Sequence, residues 1–122
     1  MYDKDLVREI LTQVYEATQK ILNRFEPIRS SDDFTNSEAG MEKLDAICMQ
    51  LIAIGESLKN LDKITRNVLL SRYPEIEWKK IKGMRDIISH HYFDVDAEII
   101  YEVCESHIEN LAATIKKMLD SI

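Results

Sequence analysis

Apolar residues recur every three or four positions along most of this chain, and no stretch shows the strict alternation that builds strands. Leu6, Val7, Ile10, Leu11, Val14, Ile21, Leu22 and Phe25 form one stripe, which predicts a helix from roughly Asp3 to Phe25, with Pro27 just past its end. The stretch PIRSSDDFTNSEAG is rich in Ser, Asp and Asn and reads as a connector with room for one helical turn. Ser37 is placed to cap the next helix. Met41, Leu44, Ile47, Cys48, Leu51, Ile52, Ile54 and Leu58 make a stripe wide enough to face two neighbours, so this second long helix is expected at the centre. A shorter helix is expected from about Lys63 to Arg72, ending before Pro74, because a proline ring disfavours helical geometry in the preceding residue. Another begins near Glu77 and carries Trp78, Ile81, Met84 and Ile88. The last is capped by Asp96 and runs unbroken through Ile100, Val103, Cys104, Ile108, Leu111, Ile115 and Leu119. With only 3 Gly and 2 Pro, the fold class is all-α, an up-and-down bundle of four or five helices.

A chain of 122 residues has the length of one domain, here residues 1–122. The opening MYDKDLVREI is charged from its third residue and holds no apolar run that could serve as a signal peptide or cross a bilayer, so a cytoplasmic protein with no membrane partner is expected. Cys48 and Cys104 lack CxxC spacing, which argues against a disulfide framework or a zinc ribbon and for two small core residues. The net charge of -6 would repel nucleic acid if spread evenly, but it is segregated. Between residues 59 and 93 stand eight bases and four acids, a balance of +4, which leaves the rest of the chain at -10. A local basic surface of that kind suits a phosphate-bearing ligand, although a solvated helix face gives the same count.

The helix beginning near Glu77 contains the one feature that a plain bundle does not need. Arg85 shares a stripe with Trp78, Ile81, Ile88 and Tyr92, which sets a guanidinium in or beside an apolar face, where it needs a partner. It either snorkels to water or pairs with a carboxylate such as Glu56, itself set among the apolar residues of the central helix. Five residues after Arg85 come His90, His91 and Tyr92. On an ideal helix Arg85 and His90 stand about 140° apart, so they reach one substrate only if the helix loosens between them or a second protomer completes the site. Asp86, one turn before His90, is placed to accept a hydrogen bond from its imidazole.

The segment RDIISHHY at 85–92 resembles the R-x-x-x-x-H-x-Y signature of the HepT branch of the HEPN ribonucleases. The surrounding RYPEIEWKKIKGMRDIISHHYFDVD, with AIGESLK at 53–59, extends the resemblance over most of the chain. The likeness implies a HEPN-like helical bundle and a homodimer in which the motifs of both chains meet in one cleft. It implies a metal-independent endoribonuclease, without cofactor, with Arg85 and His90 as the catalytic pair and Asp86, His91 and Glu56 in support. His90 would exchange a proton with the ribose 2′-hydroxyl or the leaving 5′-oxygen, while Arg85 stabilises charge on the phosphorane-like transition state. The substrate would be RNA, with tRNA among the candidates, held also by Lys79, Lys80 and Lys82. The resemblance further implies a toxin paired with a minimal nucleotidyltransferase antitoxin that attaches AMP to Tyr92. His91 departs from the commonest form of the motif, which has a small residue there.

Two weaker groupings and one rival reading stand beside this. His90, His91, Asp94 and Asp96 could be assembled into a metal site, and Cys104 with His107 is an i, i+3 pair, but neither is a full ligand set and no metal is expected. The rival is a non-catalytic HEPN-like module that dimerises and docks a nucleotidyltransferase.

Overall fold

The computed structural model describes residues 2–91 and 93–122. Among them the regular elements are all helical: α1 Lys4–Phe25, α2 Asp32–Thr35, α3 Glu38–Thr65, a short 3-10 turn Leu70–Arg72, α4 Trp78–His90, α5 Ala97–Ser106 and α6 Ile108–Ser121. Three of the helix starts are set by side chains that accept hydrogen bonds from otherwise unpaired backbone N–H groups. Asp3 accepts from the amides of Asp5 and Leu6, Ser37 from Gly40, and Asp96 from Glu98.

The long helices pack as their stripes require. α3 lies against α1 on one side and α4 on the other, while α6 returns along α1. Leu11, Ile21, Phe34, Ile47, Leu51, Ile54, Leu58, Leu61, Ile81, Met84, Ile100 and Ile108 are fully buried between them. Both cysteines lie in this core, where desolvation pushes the Cys48 thiol up to about 11 and the Cys104 thiol up to about 12. They therefore behave as small hydrophobes with no thiolate character.

Two expected boundaries are corrected. The helix expected over Lys63 to Arg72 is absent; α3 instead continues through Thr65 because Leu58, Leu61 and Thr65 prolong its buried stripe. It stops where Arg66 and Asn67 turn left-handed, at φ 54° and 62°, with both amides bonding back to the Asp62 carbonyl. Beyond that stop the chain makes only the turn Leu70–Arg72, after which the Trp78 indole N–H donates to the Tyr73 carbonyl at 2.8 Å and fixes the start of α4. The last helix is not continuous either. It breaks at His107, where φ falls to -126°, so that α5 crosses α1, α2 and α3 while α6 runs along α1. The imidazole at the break lies 3.3 Å from Glu102.

No helix among the described residues is long and apolar enough to cross a membrane.

Candidate active site

The site is built where α3 and α4 approach most closely. At Gly55 a side-chain carbon would stand 2.9 Å from Cβ of Arg85 and 3.3 Å from the Lys82 carbonyl, so only a hydrogen fits between the two helices at this level. The close approach puts Arg85 next to the residue after that glycine. Its Nε donates to Glu56 Oε1 at 2.6 Å, and a terminal nitrogen donates to Asp86 Oδ1 at 2.9 Å. Lys59 adds a second cation 3.9 Å from the same Asp86 oxygen. Glu56 is thus the partner that the sequence required, and the four residues form a charged knot across α3 and α4.

Gly55→Val adds a branched side chain where a single carbon is already too close. It is expected to destabilise the fold by about 1–3 kcal/mol, as overpacking does, and to draw Arg85 away from Glu56; urea denaturation with a chemical-shift probe on the Arg85 Nε–H checks both.

Within the knot Arg85 and Asp86 hold each other ionised. The Asp86 carboxyl is held below the usual carboxylate range, first by the hydrogen bond from Arg85 and then by the charge of Lys59. Arg85 is raised, first by its hydrogen bond to Asp86 and then by the charge of Glu56. A depressed acid stabilises the fold above its unfolded value and loses that contribution as the pH falls through its folded value. The Arg85–Asp86 pair is therefore expected to stay intact through the neutral range and down past the ordinary aspartate value of about 3.9. A carboxyl carbon-13 NMR titration that found Asp86 protonating at or above that value would contradict this.

Arg85 keeps unused chemistry. A guanidinium has five N–H donors; two are engaged with Glu56 and Asp86, and the side chain is 41% exposed. His90, in the last turn of α4, is exposed as well. α4 is regular α-helix from Trp78 to His90, so the helix does not loosen between the pair, and the separation of about 140° persists. The expected hydrogen bond from His90 to Asp86 is not formed. Asp86 is taken by Arg85 and Lys59, and the imidazole lies only within its electrostatic reach. His91 comes next as the C-cap, with Nδ1 3.6 Å from Asp94, at the edge of a cleft lined by Ile87, Val95, Asp96 and Ile99. Tyr92 lies outside the described residues.

Of the three lysines expected to meet RNA, two form ion pairs within the fold. Lys82 pairs with Asp62, and Lys80 with Glu102 at 3.3 Å. Among the described residues no group of three or more His, Cys, Asp or Glu side chains is arranged to hold a metal ion, and Cys104 is buried away from such a role. Gly55 and Lys59 do not stand out in the sequence as parts of the site. The glycine is one of only three in the chain and sits within AIGESLK, directly before Glu56, which was the available signal.

The ribonuclease HepT-like family matches residues 14–118, which include α3, α4 and the whole charged knot. This chain belongs to the HepT-like family. Its relatives in that family span most of its length. A "Putative RNase" of Methanocaldococcus jannaschii is 28% identical over 95% of this chain and 89% of its own length. A "Putative RNase" of Caldanaerobacter subterraneus subsp. tengcongensis is 31% identical over 92% of this chain and 93% of its own. The "Probable ribonuclease HepT" of Thermococcus cleftensis is 30% identical over 60% of this chain and 63% of its own. No solved structure matches the chain.

Proposed function

We propose that this HepT-like protein is a metal-independent endoribonuclease of the cytoplasm whose active cleft forms when two copies bring their Arg85 and His90 side chains together. The observation that carries the reading is the state of these two residues. Arg85 is oriented by Glu56 and Asp86 yet retains unused donors, and His90 stands exposed at the end of the same rigid helix. Neither arrangement is needed to hold the bundle together. Because α4 keeps the two side chains well apart in angle, one copy supplies the guanidinium and the other the imidazole. Ile87 and Ile99, 43% and 38% exposed beside His91, offer an apolar surface on which a second copy would rest.

In the reaction, the ribose 2′-oxygen attacks the adjacent phosphorus and the bond to the 5′-oxygen breaks, leaving a 2′,3′-cyclic phosphate and a 5′-hydroxyl. His90 accepts the 2′-hydroxyl proton as neutral imidazole, or as imidazolium donates one to the leaving oxygen. Arg85 binds the equatorial phosphate oxygens as negative charge accumulates on them. Asp86 and Glu56 hold the guanidinium in place. His91 lies beside the cleft, and Lys79 adds positive charge on the approach. The chain acts as the toxin of a pair in which a minimal nucleotidyltransferase transfers AMP to Tyr92, two residues after His90, setting an anion against the path of the RNA.

Mixing subunits tests the composite site. Arg85→Ala and His90→Ala homodimers are each expected to be inactive, and co-refolded mixtures to regain cleavage, because the cleft of each mixed dimer keeps an intact arginine from one copy and an intact histidine from the other. Mixtures as inactive as the parents would rule out a site shared between copies. Loss of dimerisation in both variants, with no nuclease activity in the wild type, would favour the docking-module reading.

A further inference from the structure

The exposed face of α3 carries a row of positive charge that the catalytic reading leaves unused. Lys59, Lys63 and Arg66 fall at i, i+4 and i+7, so they project from one side of the helix and its cap. The acids close to them in sequence are engaged elsewhere. Glu56 is tied to Arg85, and Asp62, only 13% exposed, is tied to Lys82. Among the described residues the side chains of Lys63 and Arg66 have no ion-pair or hydrogen-bond partner, and that of Lys59 has only its 3.9 Å approach to Asp86. Glu56, Ser57, Lys59, Asn60 and Lys63 line an open groove along α3; with Glu56 tied to Arg85, two neutral hydrogen-bonding groups lie among the cations.

The row has a direction. Asp62 meets Lys82 while Glu56 meets Arg85, so α3 and α4 run antiparallel. Moving along α3 from Lys59 to Arg66 therefore leads away from His90, and the row begins where Lys59 touches the Arg85 knot. Seven residues at 1.5 Å each carry it about 10 Å from the knot. A polyanion held at Arg85 would meet Lys59, Lys63 and Arg66 in succession on this side, whereas Lys80 and Lys82, on α4, are neutralised by Glu102 and Asp62.

We propose that Lys59, Lys63 and Arg66 bind the phosphodiester backbone of single-stranded RNA on one side of the scissile bond, with Ser57 and Asn60 bonding to phosphate or 2′-hydroxyl oxygens. The subsite rests on the ribonuclease reading above. It is read through the backbone and carries no base preference, since its charged groups address phosphates.

The salt dependence of RNA binding tests it. Each phosphate contact on a single strand contributes about 0.7 to the slope of log affinity against log salt. The Lys63→Gln/Arg66→Gln variant, which removes two exposed charges that form no ion pair or side-chain hydrogen bond among the described residues, is expected to lower that slope by about 1.4. Its KM should rise severalfold at low salt with kcat unchanged, and Lys63→Arg should keep the wild-type slope. Lys20→Gln, an exposed lysine on α1, serves as the charge control and should shift neither quantity. A wild type that cleaves RNA alongside a double variant of unchanged slope and KM would overturn the subsite and leave the ribonuclease reading standing. A wild type that neither binds nor cleaves RNA would overturn both.

Discussion

His90→Ala is expected to slow RNA cleavage by roughly 10²–10⁴-fold, the range that a positioned general acid or base contributes. The fold should not notice the change. His90 is exposed in the last turn of α4, accepts no burial cost, and makes no hydrogen bond with another described side chain. Circular dichroism and the urea midpoint are therefore expected to match the wild type, so that lost activity reports lost chemistry. His91→Ala offers the internal comparison. His91 is the C-cap, and its ring is turned towards Asp94. An effect on cleavage as large as that of His90→Ala would move the proton-transfer role one residue along the chain.

Arg85→Ala is expected to cost about 10²–10³-fold in kcat, comparable to removing one preorganised donor from a developing oxyanion. Removing the guanidinium leaves Glu56 without its partner and Asp86 with Lys59 alone, both at the surface. Exposed pairs contribute little to stability, so the fold should survive, while two carboxylates near the phosphate position become repulsive. Arg85→Lys keeps the charge but loses the planar fork that reaches Glu56, Asp86 and a phosphate at once. It is therefore expected to recover only a small part of the activity. Full recovery would mean that Arg85 acts as a point charge, and that orientation by Glu56 is irrelevant.

The helices were legible where local chemistry decides them. The stripe from Leu6 to Phe25, the caps at Ser37 and Asp96, and the single turn in the Ser- and Asp-rich connector are all local signals, and the structure has each of them. The two misplaced boundaries depend on distant residues. Ile64 and Val68 have helical spacing, but Leu61 and Thr65 are already committed to the α3 core, and the chain turns left-handed at Arg66, a residue type that does not announce such a turn. The break at His107 has neither Gly nor Pro to mark it and arises from the different neighbours that α5 and α6 must cover.

The site divides in the same way. That Arg85 needed a carboxylate, and that Glu56 was available, could be read from a charge set among apolar positions. That Asp86 would be captured by Arg85 and Lys59 rather than by His90 could not, because Lys59 comes from another helix. Likewise Lys80 and Lys82 look like free cations in sequence, and their partners Glu102 and Asp62 lie about 20 residues away. Folding therefore neutralises two of the three α4 lysines and leaves Lys63 and Arg66 available on the exposed side of α3 and its cap.

A composite, metal-independent ribonuclease site is tested most simply by cleavage of labelled RNA, including a tRNA pool, by the purified chain in excess EDTA, after mass spectrometry has shown that Tyr92 is unmodified. Cleavage is expected to persist in the chelator, to yield 2′,3′-cyclic phosphate ends, and to be lost in His90→Ala of equal helicity. No cleavage by unmodified protein, or cleavage that His90→Ala retains in full, would contradict it.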